Sequence, residues 1–99
     1  MGDPLPEVHR EQTGHRGTFF IERGGKRLAE MTYSVAGKSM IIIDHTDVSD
    51  ELRGTGAGGK LVEAAVQWAR AEGKKIVPLC PYAKSVFDKT PAYRDVLKA

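Results

Sequence analysis

Cysteine is nearly absent from this chain, in which Cys80 is the single thiol among 99 residues. One cysteine cannot form an internal disulfide, so the fold must be stabilised by core packing. The chain also has no apolar run of the roughly 18 residues that a bilayer-spanning helix needs. Residues 1–12 lack the apolar core of a secretion signal. We therefore expect a reducing, cytoplasmic setting and no membrane partner.

An excess of charge of one sign is missing as well. The 15 basic and 13 acidic side chains give a net charge of +2, which is too small to indicate a nucleic-acid partner. No histidine pair or cysteine cluster has the spacing of metal ligands, so we expect no bound metal. The hydrophobic content of 40% is that of an ordinary globular protein.

The order of apolar patterns predicts one α+β domain over residues 1–99. Pro4 and Pro6 stand among charges, so residues 1–15 are predicted to be a flexible arm, with order beginning near Thr18. Three strands in a meander, a helix, a strand and a helix follow. The strands are predicted at 18–23, 26–35, 39–44 and 76–79, and the helices at 58–72 and 83–88, with a helical turn near Pro91.

A glycine-rich segment, residues 53–60 (RGTGAGGK), lies between a strand and the long helix. Backbone N–H groups at a helix start can point at an anion, and the helix dipole adds positive potential there. Four glycines within six residues are more than a solvent-facing turn requires, since each one costs conformational entropy on folding. The segment therefore predicts a phosphate site made by Arg53, Gly54, Thr55, Gly56, Ala57 and Gly58, with Lys60 beside it.

Two other phosphate motifs overlap this segment. Gly54, Gly59 and Lys60 nearly match a P-loop, but Leu61 stands where a Ser or Thr must reach magnesium. Gly54, Gly56 and Gly59 match the dinucleotide pattern GxGxxG. That pattern needs a tight strand-to-helix turn and an acidic residue ending the next strand, and this chain offers neither. Both interpretations are therefore disfavoured.

A third interpretation accounts for more of the chain. Arg53-x-x-Gly56-x-Gly58 resembles the pyrophosphate-binding signature of the GCN5-related N-acetyltransferases. The segments HTDV (45–48) and PLCP (78–81) are similar to those of the YjdJ-type truncated branch, and the resemblance runs from about residue 19 to 97. It implies a minimal acetyltransferase fold, with a mostly antiparallel sheet, a parallel and splayed last pair of strands, and helices packed on the sheet.

The resemblance also implies a cofactor and a reaction. Acetyl-CoA would be the donor, held by the amides of residues 53–58, with Thr46 and Val48 pairing with the pantetheine arm and Tyr82 beside the coenzyme. Pro78 cannot donate a ladder hydrogen bond, so it suits a strand that stops pairing where the sheet opens. The acceptor would be an amine of unknown identity, either a small molecule or a protein lysine.

Two residues are candidates for catalysis. Cys80 ends its strand next to the expected thioester, where a thiolate could accept the acetyl group; a small buried apolar role is the alternative. His45 could act as a general base, or be a structural residue at a strand end. Many superfamily members have a tyrosine acid where this chain has Phe87, and Tyr82 or Tyr93 could replace it.

A non-enzymatic function remains open alongside acetyl transfer. The short substrate-binding half and the missing tyrosine favour a sensor of acetyl-CoA or CoA, or an interaction module, with little transferase activity. We expect a monomer or a weak homodimer.

Overall fold

The computed structural model describes residues 7–98 of the chain. Five strands, two α-helices and two short 3₁₀ turns follow one another along the sequence. They are β1 Val8–Thr13, β2 Arg16–Arg23, β3 Lys26–Ala36, β4 Met40–Val48, a 3₁₀ turn Asp50–Leu52, α1 Ala57–Glu72, β5 Lys75–Pro78, α2 Pro81–Lys89 and a 3₁₀ turn Pro91–Val96. Within the described residues, neither helix is long and apolar enough to cross a membrane.

The five strands form one mixed sheet in sequence order, β1-β2-β3-β4-β5. The first three pairings are antiparallel, and the fourth, between β4 and β5, is parallel. A parallel pair requires a crossover, and α1 supplies it. The predicted α+β fold, mostly antiparallel with a parallel last pair, is confirmed.

The amino-terminal part of the prediction is wrong. Val8–Thr13 pairs with β2 as an edge strand, so the meander has four strands rather than three, and order does not begin at Thr18. Only Val8 of this strand is half-buried, and the side chains after it face solvent. A strand without apolar alternation gives no period-2 signal in the sequence. Residues 1–6 of the predicted arm lie outside the described part of the chain.

The core lies between the sheet and the helices. Ile41 and Ile43 of β4 are fully buried and belong to the same apolar cluster as Leu61 and Val66 of α1. The three- and four-residue spacing predicted for α1 is confirmed, because its buried residues form one stripe. The buried residues of α1 are Ala57, Gly58, Leu61, Val62, Ala65, Val66 and Ala69.

An aromatic group attaches β1 to this core. Trp68 of α1 lies against the rings of Phe19 and Tyr33, at centroid distances of 5.9 and 5.7 Å. The guanidinium of Arg10 in β1 stacks over the Trp68 ring at 4.7 Å and donates a 2.9 Å hydrogen bond to the Tyr33 hydroxyl. Edge strand β1 is therefore tied to the helix as well as to β2.

A β-bulge interrupts β4 at Asp44. Thr32 is opposite His45, whereas the next residue of β3, Tyr33, is opposite Ile43, so Asp44 has no partner in β3. An extra residue on one strand changes the face that later side chains reach. Ile41 and Ile43 face the helices before the bulge, and Thr46 and Val48 face them after it.

Candidate functional site

The sheet opens between β4 and β5. Their last paired residues are Ile43 and Pro78, and β4 continues to Val48 without a partner on that side. The N–H groups of Leu79 and Cys80 both donate to the Ile43 carbonyl, at 3.1 Å each, as the chain turns away from the sheet. The predicted splay is confirmed, and Pro78 ends the pairing where the sequence indicated.

Cys80 lies at the inner end of this gap. Its thiol is 5% exposed and donates a 3.3 Å hydrogen bond to Oγ1 of Thr46, across the opening. Cys80 is also the residue that precedes the first turn of α2, with Pro81 at the first helical position. The positive end of the helix dipole is therefore directed toward the sulfur.

The surroundings of Cys80 favour its thiolate. Burial raises the pKa of the thiol, but the hydrogen bond with the Thr46 hydroxyl lowers it, and so do the nearby N–H groups of Ala83, Tyr82 and Thr46. The net effect places the pKa below the ordinary value of 9.0. The N–H groups of α2 lie close to the sulfur although Cys80 makes no formal capping hydrogen bond. Thiolate is the nucleophilic form of cysteine.

The glycine-rich segment forms the second part of the site. Gly54 and Gly56 have φ angles of 78° and 85°, which only glycine adopts readily. Helix α1 begins directly after Gly56 with no side-chain cap and no acidic residue in its first turn. The N–H groups of the first turn of a helix have no intrahelical acceptor. The start of α1 therefore presents free donors and a positive dipole, which suit an anion.

Two cations flank this helix start. Arg53 lies 3.3 Å from Asp50 and Lys60 lies 3.9 Å from Glu63, and all four side chains are exposed. Exposed ion pairs of this kind are weak. Both cations can therefore exchange their carboxylate partners for a phosphate.

A cavity of about 350 Å³ lies over the glycine-rich segment. Val48 of β4 and Tyr82 of α2 form its sides. The ring end of Tyr82 rests on Gly58, because a Cβ built on Gly58 would lie 2.5 Å from the phenol oxygen. The remaining lining residues are Leu52, Arg53, Gly54, Gly56 and Ala57. The cavity and the Cys80–Thr46 gap thus share the first turn of α2 and the free edge of β4.

His45 does not join Cys80 at this site. It is exposed and is opposite Thr32, whereas the next residue, Thr46, reaches Cys80 on the helix-covered face. In the described part of the chain the imidazole has no hydrogen bond to the thiol. His45 therefore lies at the splay, but on the other face of the sheet.

Tyr82 and Tyr93, the two candidate acids, also lie in different places. Tyr82 is at the site, whereas Tyr93 packs edge-on against Phe87 with the ring centroids 5.9 Å apart. Phe87 is buried at 3% exposure in the core. Tyr82 is therefore the tyrosine of the site: its backbone N–H lies near the Cys80 sulfur, and its phenol oxygen lies over Gly58.

Sequence reasoning missed one participant. Thr46 was predicted for its backbone, and the structure adds its hydroxyl as the partner of Cys80. No signal in the sequence identifies this contact, because the bulge at Asp44 decides which face Thr46 occupies. Among residues 7–98, no three His, Cys, Asp or Glu side chains are grouped as metal ligands.

Comparison with known proteins identifies sequences that are similar to most of this chain. The family model described as GCN5-related N-acetyl-transferase matches residues 18–96. Protein NATD1 of Xenopus tropicalis is 28% identical over 90 residues, which are 90% of this chain and 83% of the relative.

Solved structures share the fold. The solution structure of a GCN5-like candidate N-acetyltransferase from Staphylococcus aureus is 39% identical, with a TM-score of 0.71 over 94% of this chain and 88% of that chain. The aminoglycoside N-acetyltransferase AAC(6')-Iy, solved in complex with CoA, is 15% identical, with a TM-score of 0.55 over 78% of this chain and 67% of that chain. The second likeness concerns the fold alone.

Proposed function

Since the chain belongs to the GCN5-related N-acetyltransferase family, we propose that it binds acetyl-CoA and transfers the acetyl group to an amine. Enzymes of this family use acetyl-CoA as the donor and need an acceptor substrate. The observation that carries the proposal is the uncapped start of α1, which lies beside a cavity bordered by the free edge of β4 and the first turn of α2, next to the opening between β4 and β5. A bound pyrophosphate would supply the missing acceptor for the N–H groups of that first turn.

We assign the coenzyme-binding residues on this basis. The amides of residues 53–58, with Arg53 and Lys60, hold the phosphates. Thr46 and Val48 offer the free edge of β4 to the amides of the pantetheine arm. This arrangement directs the acetyl group toward Cys80, at the closed end of the gap.

One route to the product runs through Cys80. Its thiolate attacks the acetyl carbonyl carbon, a bond forms to the sulfur, and the coenzyme thiolate leaves and takes up a proton. The acceptor's ammonium loses one proton to a base, and the neutral amine then attacks the S-acetyl carbonyl carbon. As the carbon–sulfur bond breaks, the nitrogen gives up its second proton to the departing Cys80 thiolate. The lowered pKa of the thiol supports this route.

A direct route differs only in its first nucleophile. The neutral amine attacks the acetyl carbonyl carbon itself, the carbon–sulfur bond to the coenzyme breaks, and the nitrogen loses its second proton to water. His45 would take the proton of the ammonium, because its exposed face of the splay is open to an acceptor. We assign the protonation of the leaving thiolate to Tyr82, because this residue borders Cys80 through its backbone N–H, whereas Tyr93 packs against Phe87.

A second candidate function is a sensor of acetyl-CoA or CoA with little transferase activity. One observation favours it: Phe87, at the position of the superfamily's tyrosine acid, is buried in the core and has no proton to give. Binding would then be the whole function.

The experiment incubates the protein with acetyl-CoA and an amine panel containing a polyamine, an amino acid and a lysine peptide. Amine-dependent release of the coenzyme thiol supports a transferase, and binding without release supports the sensor. Intact mass is measured in parallel for the wild type and Cys80→Ala. An acetyl adduct that requires Cys80 selects the covalent route, whereas turnover by Cys80→Ala selects direct transfer.

We also propose a branch of the family, a cellular setting and an acceptor class for this chain. The HTDV and PLCP segments support the YjdJ-type branch. The single cysteine fits a cytoplasmic protein. The acceptor is a small-molecule amine or a protein lysine, and the chain acts as a monomer or a weak homodimer.

A further inference from the structure

Tyr82 occupies a position that the coenzyme would have to pass. It is the second residue of α2, two residues after Cys80, and its ring end rests on Gly58, the second residue of α1. The start of α1 and the thiol of Cys80 are the two ends of the proposed coenzyme groove. A molecule that reaches from one end to the other runs beside the first turns of both helices.

The contact leaves no space between the two residues. A Cβ built on Gly58 would meet three atoms of Tyr82, the phenol oxygen at 2.5 Å and two ring carbons at 2.6 and 2.7 Å. Real Cβ atoms essentially never approach heavy atoms this closely. The Tyr82 ring therefore bridges α1 and α2 and closes the groove between them.

The Tyr82 ring is only partly enclosed. Tyr82 is 43% exposed, and its outer face is free to turn toward solvent. In residues 7–98 no side-chain hydrogen bond involves its phenol oxygen. An aromatic side chain exposed to this extent can change rotamer on the fast timescale of surface side chains.

Building on the function proposed above, we propose that Tyr82 is a gate of the coenzyme groove. Its ring closes the groove in the free protein by resting on Gly58, and it leaves Gly58 when the coenzyme binds. Glycine at position 58 thus leaves the space that the Tyr82 ring occupies when the gate is closed. Gly58 does not have the positive φ that only glycine adopts readily, so its backbone conformation does not demand glycine.

The direct test follows the Tyr82–Gly58 contact by NMR in the wild-type protein. We expect a cross-peak between the Tyr82 ring and the Gly58 α-protons, and its loss on addition of saturating CoA, while amides of residues 53–58 shift. Amide shifts with a retained cross-peak overturn the gate and leave the proposed function intact. A free protein without the cross-peak also overturns the gate. No amide shift with CoA overturns the proposed function, and the gate with it.

Binding kinetics give a second test. If CoA binds only to the open form, the apparent affinity and the on-rate are the intrinsic values multiplied by the fraction of molecules that are open. For a gate that is open about one-fifth of the time, Tyr82→Ala should therefore raise the on-rate of CoA about fivefold. Gly58→Ala should do the same, because its methyl group displaces the ring and keeps the N–H group. Gly59→Ala is the matched control, because a Cβ there meets no atom within 4 Å.

The double variant separates the gate from a direct role of Gly58. If the gate is correct, Gly58→Ala has no further effect on the on-rate in the Tyr82→Ala background. If Gly58→Ala slows CoA binding equally in both backgrounds, its methyl group obstructs the phosphate itself, and the gate is wrong. Thermal unfolding of each variant shows that the fold is retained.

Discussion

The sulfur of Cys80 lies 3.3 Å from the hydroxyl oxygen of Thr46, across the gap that opens between β4 and β5. The two residues are 34 positions apart in the sequence, and the bulge at Asp44 brings them to the same face. This contact places a hydrogen-bonding hydroxyl beside the one thiol of the chain, at the end of the proposed coenzyme groove.

The Cys80–Thr46 contact predicts a pH profile. Alkylation of Cys80 by iodoacetamide should reach half its maximal rate below pH 9.0, because the folded protein lowers the thiol pKa. Thr46→Val removes the hydroxyl and should move this midpoint upward, with Thr46→Ser as the control that retains it. An unchanged midpoint in Thr46→Val would contradict the assigned cause.

The lowered pKa of Cys80 also makes the stability of the fold depend on pH. Because the pKa is lower in the folded than in the unfolded chain, the thiolate stabilises the fold above the unfolded-state pKa. This contribution is lost as the pH falls through the folded-state pKa. The stability difference between wild type and Cys80→Ser, measured by urea unfolding, should therefore rise from pH 7 to pH 10. A stability difference that falls from pH 7 to pH 10 would contradict the lowered pKa of Cys80.

Arg53 predicts a charge effect on coenzyme binding. Arg53→Gln should weaken CoA binding about tenfold, the loss expected for one charge-assisted hydrogen bond to phosphate. Asp50→Asn should strengthen it slightly, because Asp50 competes for the same guanidinium at 3.3 Å. Calorimetric titration at two salt concentrations checks both. Equal affinities in all three proteins would remove Arg53 from the phosphate site.

Arg10 predicts that β1 contributes to stability. Arg10→Ala should lower the free energy of unfolding by about 1–2 kcal/mol, since it removes a cation–π contact with Trp68 and a hydrogen bond to Tyr33. Arg23→Ala, at the exposed tip of the next hairpin, should change it by less than about 0.5 kcal/mol. Urea unfolding compares the two. Equal small effects would mean that β1 is only loosely attached.

Much of the fold can be predicted from local patterns. The apolar stripe of α1 defines a helix because several consecutive turns repeat the same period. The glycines before it and Pro78 mark the two places where regular pairing must stop. These signals place the glycine-rich turn and the splay, which are the two ends of the candidate site.

The rest depends on contacts that are distant in sequence. Val8–Thr13 becomes a strand because β2 and Trp68 hold it, although its own side chains are mostly polar. The apolar run before Asp44 shows no alternation, so the sequence gives no sign of the bulge. The face of the sheet on which His45 lies could therefore not be predicted from the pattern. Tyr82 meets Gly58 only once both helices are packed.

Thermal unfolding with and without acetyl-CoA tests the central claim most directly. A ligand present at 100 times its dissociation constant stabilises the folded state by about 2.7 kcal/mol, which corresponds to about 13 °C in a domain of this size. The proposed function predicts an upward shift of this order, reduced in Arg53→Gln. An unfolding midpoint that acetyl-CoA leaves unchanged, even at millimolar concentration, would contradict it and would leave the start of α1 as an ordinary helix end.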